Sequence, residues 1–313
     1  MEMIDVARPT SELPMTSSRV GIWIQAMRLR TLPAAIVPVV VGTGVAAAIS
    51  HVAWPAALAA LAGALAIQIG TNFANDAFDA ETGADGPDRI GPTRAVAAGL
   101  ITGAAMKRAM MLAFAIAAAF GLYLVAIAGW PVVAIGIASI LSGIAYTGGP
   151  ALGYRGLGDI FVLAFFGFVA VCGTVYVQLF EVPRLAIAAS IPVGALATAI
   201  LVVNNLRDRH TDVRVGKRTL AVRFGRNAAL VEYALLLVAA YAVPLVLALT
   251  GRPWAALPLI SAPLAVLRMR GLGVAVTGPE FNRLLACTAQ LMMLHGALFA
   301  GGLALSARAS CCT

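Results

Sequence analysis

Long apolar runs separated by short polar segments are the dominant pattern along this chain of 313 residues. An α-helix needs roughly 20 apolar residues to cross the hydrocarbon core of a bilayer, whereas a barrel strand needs only about 9–11 alternating ones. The runs have the helical length. They predict nine membrane helices, near Leu32–Ile49, Pro55–Phe73, Met106–Ala128, Pro131–Tyr146, Leu157–Gln178, Leu185–Asn204, Ala228–Leu249, Trp254–Leu267 and Leu284–Leu305.

The amino-acid composition supports the same class of protein. Hydrophobic residues make up 61% of the chain and charged residues only 12%, whereas a soluble domain carries about 25% charged residues. Because lipid tolerates only backbone whose polar groups are satisfied internally, we expect an all-α polytopic membrane protein. A single membrane domain is expected over 28–306, between a polar N-terminal segment, 1–27, and a C-terminal tail, 307–313.

The basic residues are distributed unevenly between the two sides of the membrane that nine helices would define. With the N-terminus in the cytoplasm, all but three of the 22 lysines and arginines fall on the cytoplasmic side. The exceptions are Arg184, Arg252 and Arg308. Cytoplasmic loops of membrane proteins carry such an excess, so the pattern predicts an N-in, C-out orientation. It also accounts for the net charge of +8 without a nucleic-acid partner.

An Asn-x-x-x-Asp motif occurs twice, at the ends of the second and sixth predicted helices. The even number of helices from one copy to the next places both copies on the same side of the membrane. Residues three or four apart share a helix face, so each motif predicts a polar stripe facing a common cavity. The first stripe comprises Gln68, Asn72, Asp76 and Asp79, and the second comprises Asn204, Asp208 and Asp212.

Four carboxylates around one cavity would repel one another unless cations neutralise them. Oxygen ligands suit Mg²⁺, which takes one or two carboxylates and completes its shell with water and phosphate oxygens. Arginine and lysine side chains beside the motifs could bind a diphosphate. The sequence predicts an Mg²⁺ site at Asp76, Asp79, Asp208 and Asp212, surrounded by Asn72, Asn75 and Asn204, with Arg89, Arg94, Lys217 and Arg218 as candidate diphosphate ligands.

Several of these residues also have a simpler interpretation. One charged cytoplasmic loop is ordinary in a membrane protein, and only the matching second copy favours a site. Most of the basic segment 207–226 is expected to serve topology and lipid headgroups, and the same alternative holds for Arg28 and Arg30. His210 could orient a carboxylate or could be a solvated loop histidine.

At these motifs the chain resembles the UbiA superfamily of intramembrane prenyltransferases, which have nine helices and two Asp-rich motifs. The first superfamily motif matches at Asn75, Asp76 and Asp79, and the second at Asp208 and Asp212. The resemblance implies a UbiA-type helical bundle in the bacterial inner or plasma membrane, with membrane lipid around it. It also implies an active site facing the cytoplasm, Mg²⁺ as cofactor and a polyprenyl diphosphate as donor.

Within that superfamily the chain is similar to the MenA family of 1,4-dihydroxy-2-naphthoate polyprenyltransferases. Asp85 stands two residues beyond Gly83, where the first motif usually has its third acid, and this shift is typical of that branch. Pro150 replaces the lysine of hydroxybenzoate-type relatives and leaves Arg155 as a substitute cation. Ala77 replaces a frequent tyrosine. The matching stretches are 28–33, 83–85, 89–94, 146–150, 152–159, 173–178 and 216–223.

The resemblance implies a complete reaction. A polyprenyl group would pass from its diphosphate to 1,4-dihydroxy-2-naphthoate with loss of CO₂ and diphosphate, giving demethylmenaquinone in menaquinone biosynthesis. Tyr146 or Tyr154 could stabilise the allylic cation through an aromatic face. Arg28 or Arg30 could bind the acceptor's carboxylate.

Two alternatives to this function stay open. The acceptor could be a hydroxybenzoate, a homogentisate or haem, since physical chemistry alone does not fix the aromatic pocket. A transporter or a lipid-diphosphate binding protein belongs to a different class, in which polar residues should line the bilayer midplane. The polar motifs here are predicted at one membrane face, which favours the enzyme.

Overall fold

The computed structural model of the chain describes residues 18–83, 90–92 and 94–310, apart from the side chains of 307–310. Most of the predicted N-terminal segment and the last three residues of the predicted tail lie outside these ranges, as do Asp85 and Arg89. Most of the described residues are helical, as the apolar pattern predicts.

Ten helices follow one another along the described residues. They are α1 (Arg19–Ala26), α2 (Pro33–Ile49), α3 (Trp54–Glu81), α4 (Gly103–Ala128), α5 (Pro131–Ala145), α6 (Gly158–Leu179), α7 (Arg184–Arg214), α8 (Leu220–Leu249), α9 (Pro253–Val274) and α10 (Gly278–Ser310). The π-helical stretch Leu163–Val169 lies within α6, the 3₁₀ stretch Pro253–Ser261 opens α9, and a 3₁₀ turn at Leu29–Thr31 joins α1 to α2.

Every predicted apolar run corresponds to one of these helices, but not every helix meets the length and hydropathy expected of a membrane span. Within the described residues, seven helices are long and apolar enough to cross a membrane, and α1 with α2, bent by 50°, would make an eighth. The helix α5 is apolar but has only 15 residues. The multi-pass membrane class is therefore confirmed, whereas the count of nine spans and the orientation stay predictions.

Local sequence signals set several of the helix ends. Pro33 and Pro131 begin α2 and α5, where a missing backbone N–H costs nothing because the first turn has no intrahelical acceptor for it. The hydroxyls of Thr102 and Thr219 accept backbone N–H groups at the starts of α4 and α8. Gly129 ends α4 with a φ of 78°, a conformation that favours glycine. Helix boundaries thus follow ordinary capping rules even in this apolar chain.

The helix α7 lies at the centre of the bundle and is the most buried of the long helices. It packs in one large apolar core with α2, α6, α8, α9 and α10, while α1, α3 and α4 form a second core. Small residues allow close approach: a Cβ on Gly167 of α6 would lie 2.9 Å from the Cα of Gly194 on α7. Such contacts are typical of helices packed in lipid.

One interhelical hydrogen bond replaces a backbone hydrogen bond that is missing inside α8. Pro244 has no N–H, so the carbonyl of Ala240 loses its helical donor. The Nε2 atom of His295 on α10 lies 3.0 Å from that carbonyl oxygen and therefore donates to it. His295 is 1% exposed, so water cannot supply the bond instead.

Candidate active site

A cavity of about 620 Å³ lies between α2, α3, α4, α5, α6 and α7, and both polar motifs line it. Its polar end lies where α3 and α7 approach their C-termini, and the remaining wall is apolar. Gly121 and Gly136 line the apolar part, and a Cβ on either would meet nothing within 4 Å. The predicted site residues among its lining are Arg28, Asn72, Asn75, Asp79, Arg94, Tyr146, Tyr154, Asn204, Asp208, Asp212 and Lys217.

Asp79 is the acid of the first motif that reaches the cavity. Nη2 of Arg94 donates to its Oδ2 at 2.9 Å, and the hydroxyl of Tyr154 donates to its Oδ1 at 3.0 Å. The side chains of Arg94 and Asp79 are only 7% and 5% exposed. A buried ion pair of this kind holds both groups in fixed places, because either one alone would be a costly uncompensated charge.

Asp76 has a different set of partners. Its two carboxylate oxygens accept the backbone N–H groups of Ala95 and Val96, each at 3.1 Å. The residue is 1% exposed and is not part of the cavity lining. In this structure Asp76 therefore anchors the turn that carries Arg94, and it stands apart from the other three predicted metal ligands.

Asp208 is held by its neighbour Arg207, which belongs to the basic segment that was expected to serve mostly topology and lipid headgroups. Nε and Nη2 of Arg207 donate to the two oxygens of Asp208, both at 2.7 Å. Arg207 also donates to Oδ1 of Asn204 at 2.8 Å and to Oδ1 of Asn282 at 2.7 Å. Arg207 is 4% exposed, and its place inside the second motif, one residue before Asp208, is the sequence signal that could have identified it.

Asp212 and Lys217 connect the second motif to Tyr154. Nζ of Lys217 lies 3.4 Å from Oδ1 of Asp212 and 4.6 Å from the centre of the Tyr154 ring. The backbone N–H of Arg218 donates to the carbonyl of Tyr154 at 2.8 Å. Because Tyr154 also donates to Asp79, this one ring joins the two motifs across the cavity.

The asparagines of the first motif bind neighbouring segments. Nδ2 of Asn72 donates to the carbonyl of Met27 at 2.9 Å and to the hydroxyl of Thr31 at 3.0 Å. Oδ1 of Asn75 accepts from the hydroxyl of Thr147 at 2.8 Å. Asn72 thus ties α3 to the turn before α2, and Asn75 ties it to the end of α5.

Tyr146 follows the last residue of α5, and its ring faces the cavity. A Cβ on Gly153 would lie 3.0 Å from its Cε1, and one on Gly158 would lie 2.9 Å from its hydroxyl. Tyr146 therefore offers the cavity an aromatic ring.

Three other predicted ligands do not reach the cavity. Arg30, Arg155 and Arg218 are exposed and are not part of its lining. His210 is exposed as well, and its Nε2 lies 3.3 Å from Nη2 of Arg209. The structure therefore brings together most, but not all, of the residues that the sequence selected.

The donor set of the polar end fits Mg²⁺, although not as a cluster of four acids. Among the residues that the structure describes, no three acidic, histidine or cysteine side chains are grouped closely enough to hold a metal ion. Asp79, Asp208 and Asp212 nevertheless line the same cavity. One or two carboxylates suffice for Mg²⁺ when water and phosphate oxygens complete its shell.

Comparison with known families and proteins gives a consistent result. The model of the UbiA prenyltransferase family matches residues 35–280. A Mycobacterium tuberculosis protein named 1,4-dihydroxy-2-naphthoate octaprenyltransferase is 41% identical over 283 residues, which cover 90% of this chain and 96% of the relative. The Escherichia coli K12 protein of the same name is 38% identical over 298 residues, covering 92% and 97% of the two chains.

Solved structures show the same fold at much lower identity. A UbiA homolog from Aeropyrum pernix K1 superposes with a TM-score of 0.66 at 14% identity, covering 88% of this chain and 96% of the homolog. A UbiA homolog from Archaeoglobus fulgidus, bound to DMAPP and Mg²⁺, gives a TM-score of 0.64 at 16% identity. It covers 88% of this chain and 98% of the homolog.

Proposed function

Because the chain belongs to the UbiA prenyltransferase family, we propose that it is an aromatic polyprenyltransferase that attaches a polyprenyl group to 1,4-dihydroxy-2-naphthoate. The C–O bond of the polyprenyl diphosphate breaks, a C–C bond to the ring forms, and the ring's carboxylate leaves as CO₂. The products are diphosphate and the hydroquinone form of demethylmenaquinone. The observation that carries this proposal is one cavity with paired acids and bases at its polar end and a long apolar wall beyond them.

The polar end would bind the diphosphate and its metal ion. Arg94 and Lys217 line the cavity and are the protein's cations for phosphate oxygens. Asp79, Asp208 and Asp212 would hold Mg²⁺, which, when bound, neutralises the diphosphate and makes it a better leaving group. We assign no direct ligand role to Asp76, Arg30, Arg155 or Arg218, because none of them lines the cavity.

The apolar wall would accommodate the isoprenoid tail. It is built from α3, α4, α5 and α6, and residues such as Ile67, Val125 and Phe165 contribute to it. Apolar walls around the reacting centre also exclude water, which would otherwise capture an allylic cation. The transferred carbon would then meet the aromatic ring and not a water molecule.

The aromatic acceptor would lie between Tyr146 and Arg28. Arg28 lines the cavity, so its guanidinium is the candidate for the acceptor's carboxylate. The ring of Tyr146 could stabilise the allylic cation, a contribution of about 0.5–2 kcal/mol. Tyr154 suits this role less well, because Lys217 already occupies one face of its ring.

The site would face the cytoplasm of a bacterial inner or plasma membrane. Both motifs lie near the C-termini of their helices, in the half of the protein that also carries the basic segment 207–226. The positive-inside rule places such a segment in the cytoplasm. The substrates would then reach the cavity from that side and from the surrounding lipid.

Membranes that contain the protein test the proposal directly. They are supplied with 1,4-dihydroxy-2-naphthoate and a labelled polyprenyl diphosphate, with and without Mg²⁺. The expected result is a labelled prenylated naphthoquinol that forms only with Mg²⁺. Product from a hydroxybenzoate and none from the naphthoate would contradict the acceptor, and diphosphate binding without any product would contradict the enzyme.

A further inference from the structure

The hydroxyl of Thr31 lies at the centre of a small hydrogen-bond network beside the cavity. It donates to the carbonyl of Arg28 at 3.0 Å, and it accepts from Nε2 of Gln68 at 3.2 Å and from Nδ2 of Asn72 at 3.0 Å. One donated and two accepted bonds use the full capacity of a hydroxyl group. Thr31 is therefore the point where the turn between α1 and α2 is attached to the polar stripe of α3.

The turn that Thr31 holds has an unfavourable backbone conformation. Arg28 is left-handed, with φ 52° and ψ 62°, a region that residues with a Cβ rarely occupy. The backbone N–H of Thr31 donates to the carbonyl of Arg28 at 2.8 Å, and Nδ2 of Asn72 also donates to the carbonyl of Met27. Such a conformation persists only where surrounding bonds hold it, and it is found often at functional sites.

The four residues of this network all line the cavity. Gln68 and Asn72 belong to the predicted polar stripe of α3, and Asn72 was expected near the metal ion, but the amide nitrogens of both residues donate to the turn. Their hydrogen bonds fix the backbone from which the Arg28 side chain extends. The polar stripe that was predicted to face the cavity thus also binds the turn that carries Arg28.

We propose that Thr31 is a positioning residue whose hydroxyl holds the Arg28 turn, so that the guanidinium of Arg28 meets the carboxylate of the aromatic acceptor. This inference rests on the proposed function, because it needs a carboxylated acceptor in the cavity. Valine has the shape of threonine but neither donates nor accepts. In Thr31→Val the amides of Gln68 and Asn72 lose an acceptor, and the carbonyl of Arg28 loses a donor.

Binding and kinetics of Thr31→Val together test the proposal. The KM for 1,4-dihydroxy-2-naphthoate should rise about tenfold or more, while the KM for the polyprenyl diphosphate stays within about twofold, since the diphosphate end is held by other residues. Thr31→Ser, which keeps the hydroxyl, should restore the wild-type KM. Thr198→Val is the matched control, because the buried hydroxyl of Thr198 donates to the carbonyl of Gly194 in its own helix and Thr198 does not line the cavity.

A binding measurement separates this inference from the proposed function. The fluorescence of 1-hydroxy-2-naphthoate and of 1-naphthol reports their binding to the purified protein without turnover. The wild-type protein should bind the carboxylated compound more tightly, and Thr31→Val should lose only that preference. Thr31→Ala serves as a second variant if Thr31→Val does not fold.

Each outcome is decisive. Equal changes in both KM values, or a carboxylate preference that survives in Thr31→Val and Thr31→Ala, would overturn the role of Thr31. A wild-type protein without any carboxylate preference would overturn it as well. If the preference is present and sensitive to Thr31, but wild-type membranes form no prenylated naphthoquinol, the proposed function fails and the positioning role stands.

Discussion

Asp76 and Asp79 lie one turn apart on the same helix, yet their carboxylates have different partners. Asp76 accepts two backbone N–H groups of the turn at Ala95, whereas Asp79 meets the Arg94 guanidinium at the cavity wall. Asp76 therefore holds the turn at Ala95, and that turn positions the guanidinium of Arg94 beside Asp79. One Asp-rich motif thus combines an acid that holds a turn with an acid that lines the cavity.

Replacing each of these acids by asparagine should separate the two roles. Asp76→Asn leaves one of two buried N–H groups without an acceptor, so we expect a loss of about 1–3 kcal/mol of stability and an almost unchanged KM for Mg²⁺. Asp79→Asn removes a cavity charge, and turnover should fall at least about a hundredfold. Thermal unfolding in detergent and Mg²⁺ titration of activity measure both effects. A weakened Mg²⁺ dependence in Asp76→Asn with normal stability would refute the assignment.

Arg207 should be intolerant even of lysine. Its guanidinium bonds to Asn204, Asp208 and Asn282 at once, and a lysine ammonium cannot reproduce that planar fork. We expect kcat/KM of Arg207→Lys to fall roughly 10–100-fold, equivalent to one or two charge-assisted hydrogen bonds. Arg226→Lys is the matched control, since the partners of Arg226 among the described residues are the backbone carbonyls of Leu272 and Gly273, which do not line the cavity. Similar losses in both variants would argue against a specific role.

At the scale of elements, membrane helices keep prolines because other groups replace the missing donors. Pro244 in α8 depends on His295 of α10 in this way, and the bond crosses between two helices. The hydrogen bond that α8 lacks at Pro244 is thus replaced by one that joins α8 to α10. The same hydrogen bond explains why a buried histidine packs beside the rings of Tyr241 and Phe299.

A double-mutant cycle tests this attachment. His295→Leu should destabilise the protein by about 1–3 kcal/mol, because it leaves the buried carbonyl of Ala240 without a donor. In a Pro244→Ala background the helix regains its own N–H, so the same substitution should cost clearly less. Thermal unfolding of the four detergent-solubilised proteins gives the coupling. Equal costs in both backgrounds would show that His295 contributes packing alone.

At the scale of the whole molecule, the sequence predicted the class and the helices well because span length and charge asymmetry are physical constraints of the bilayer itself. Partner choice within the site was harder to predict. Helical spacing indicates that Asp76 and Asp79 share a face, but it cannot say which atoms meet them. Arg207 is one of several basic residues in the segment 207–226, so its charge alone did not distinguish it. The proposed role of Thr31 depends on a left-handed turn at Arg28 that no local sequence pattern indicates.

The orientation of the bundle is open to a direct test. In a variant without cysteines, Ser50→Cys should react with a membrane-impermeant maleimide on right-side-out spheroplasts. His210→Cys should react only after permeabilisation. Both positions are exposed, and the positive-inside rule predicts a cytoplasmic location for His210. The reverse labelling pattern would invert the topology and place the proposed active site outside the cell.

The three cavity carboxylates are each matched to a cation of the protein itself: Asp79 to Arg94, Asp208 to Arg207, and Asp212 to Lys217. A site whose charges balance internally needs no divalent ion to assemble. The ion can therefore enter and leave with the diphosphate as a complex and need not reside permanently in the protein. In the laboratory the enzyme should survive purification in EDTA with an unchanged melting temperature and regain full turnover as soon as Mg²⁺ is returned. A fall in melting temperature would instead reveal an ion that is part of the fold.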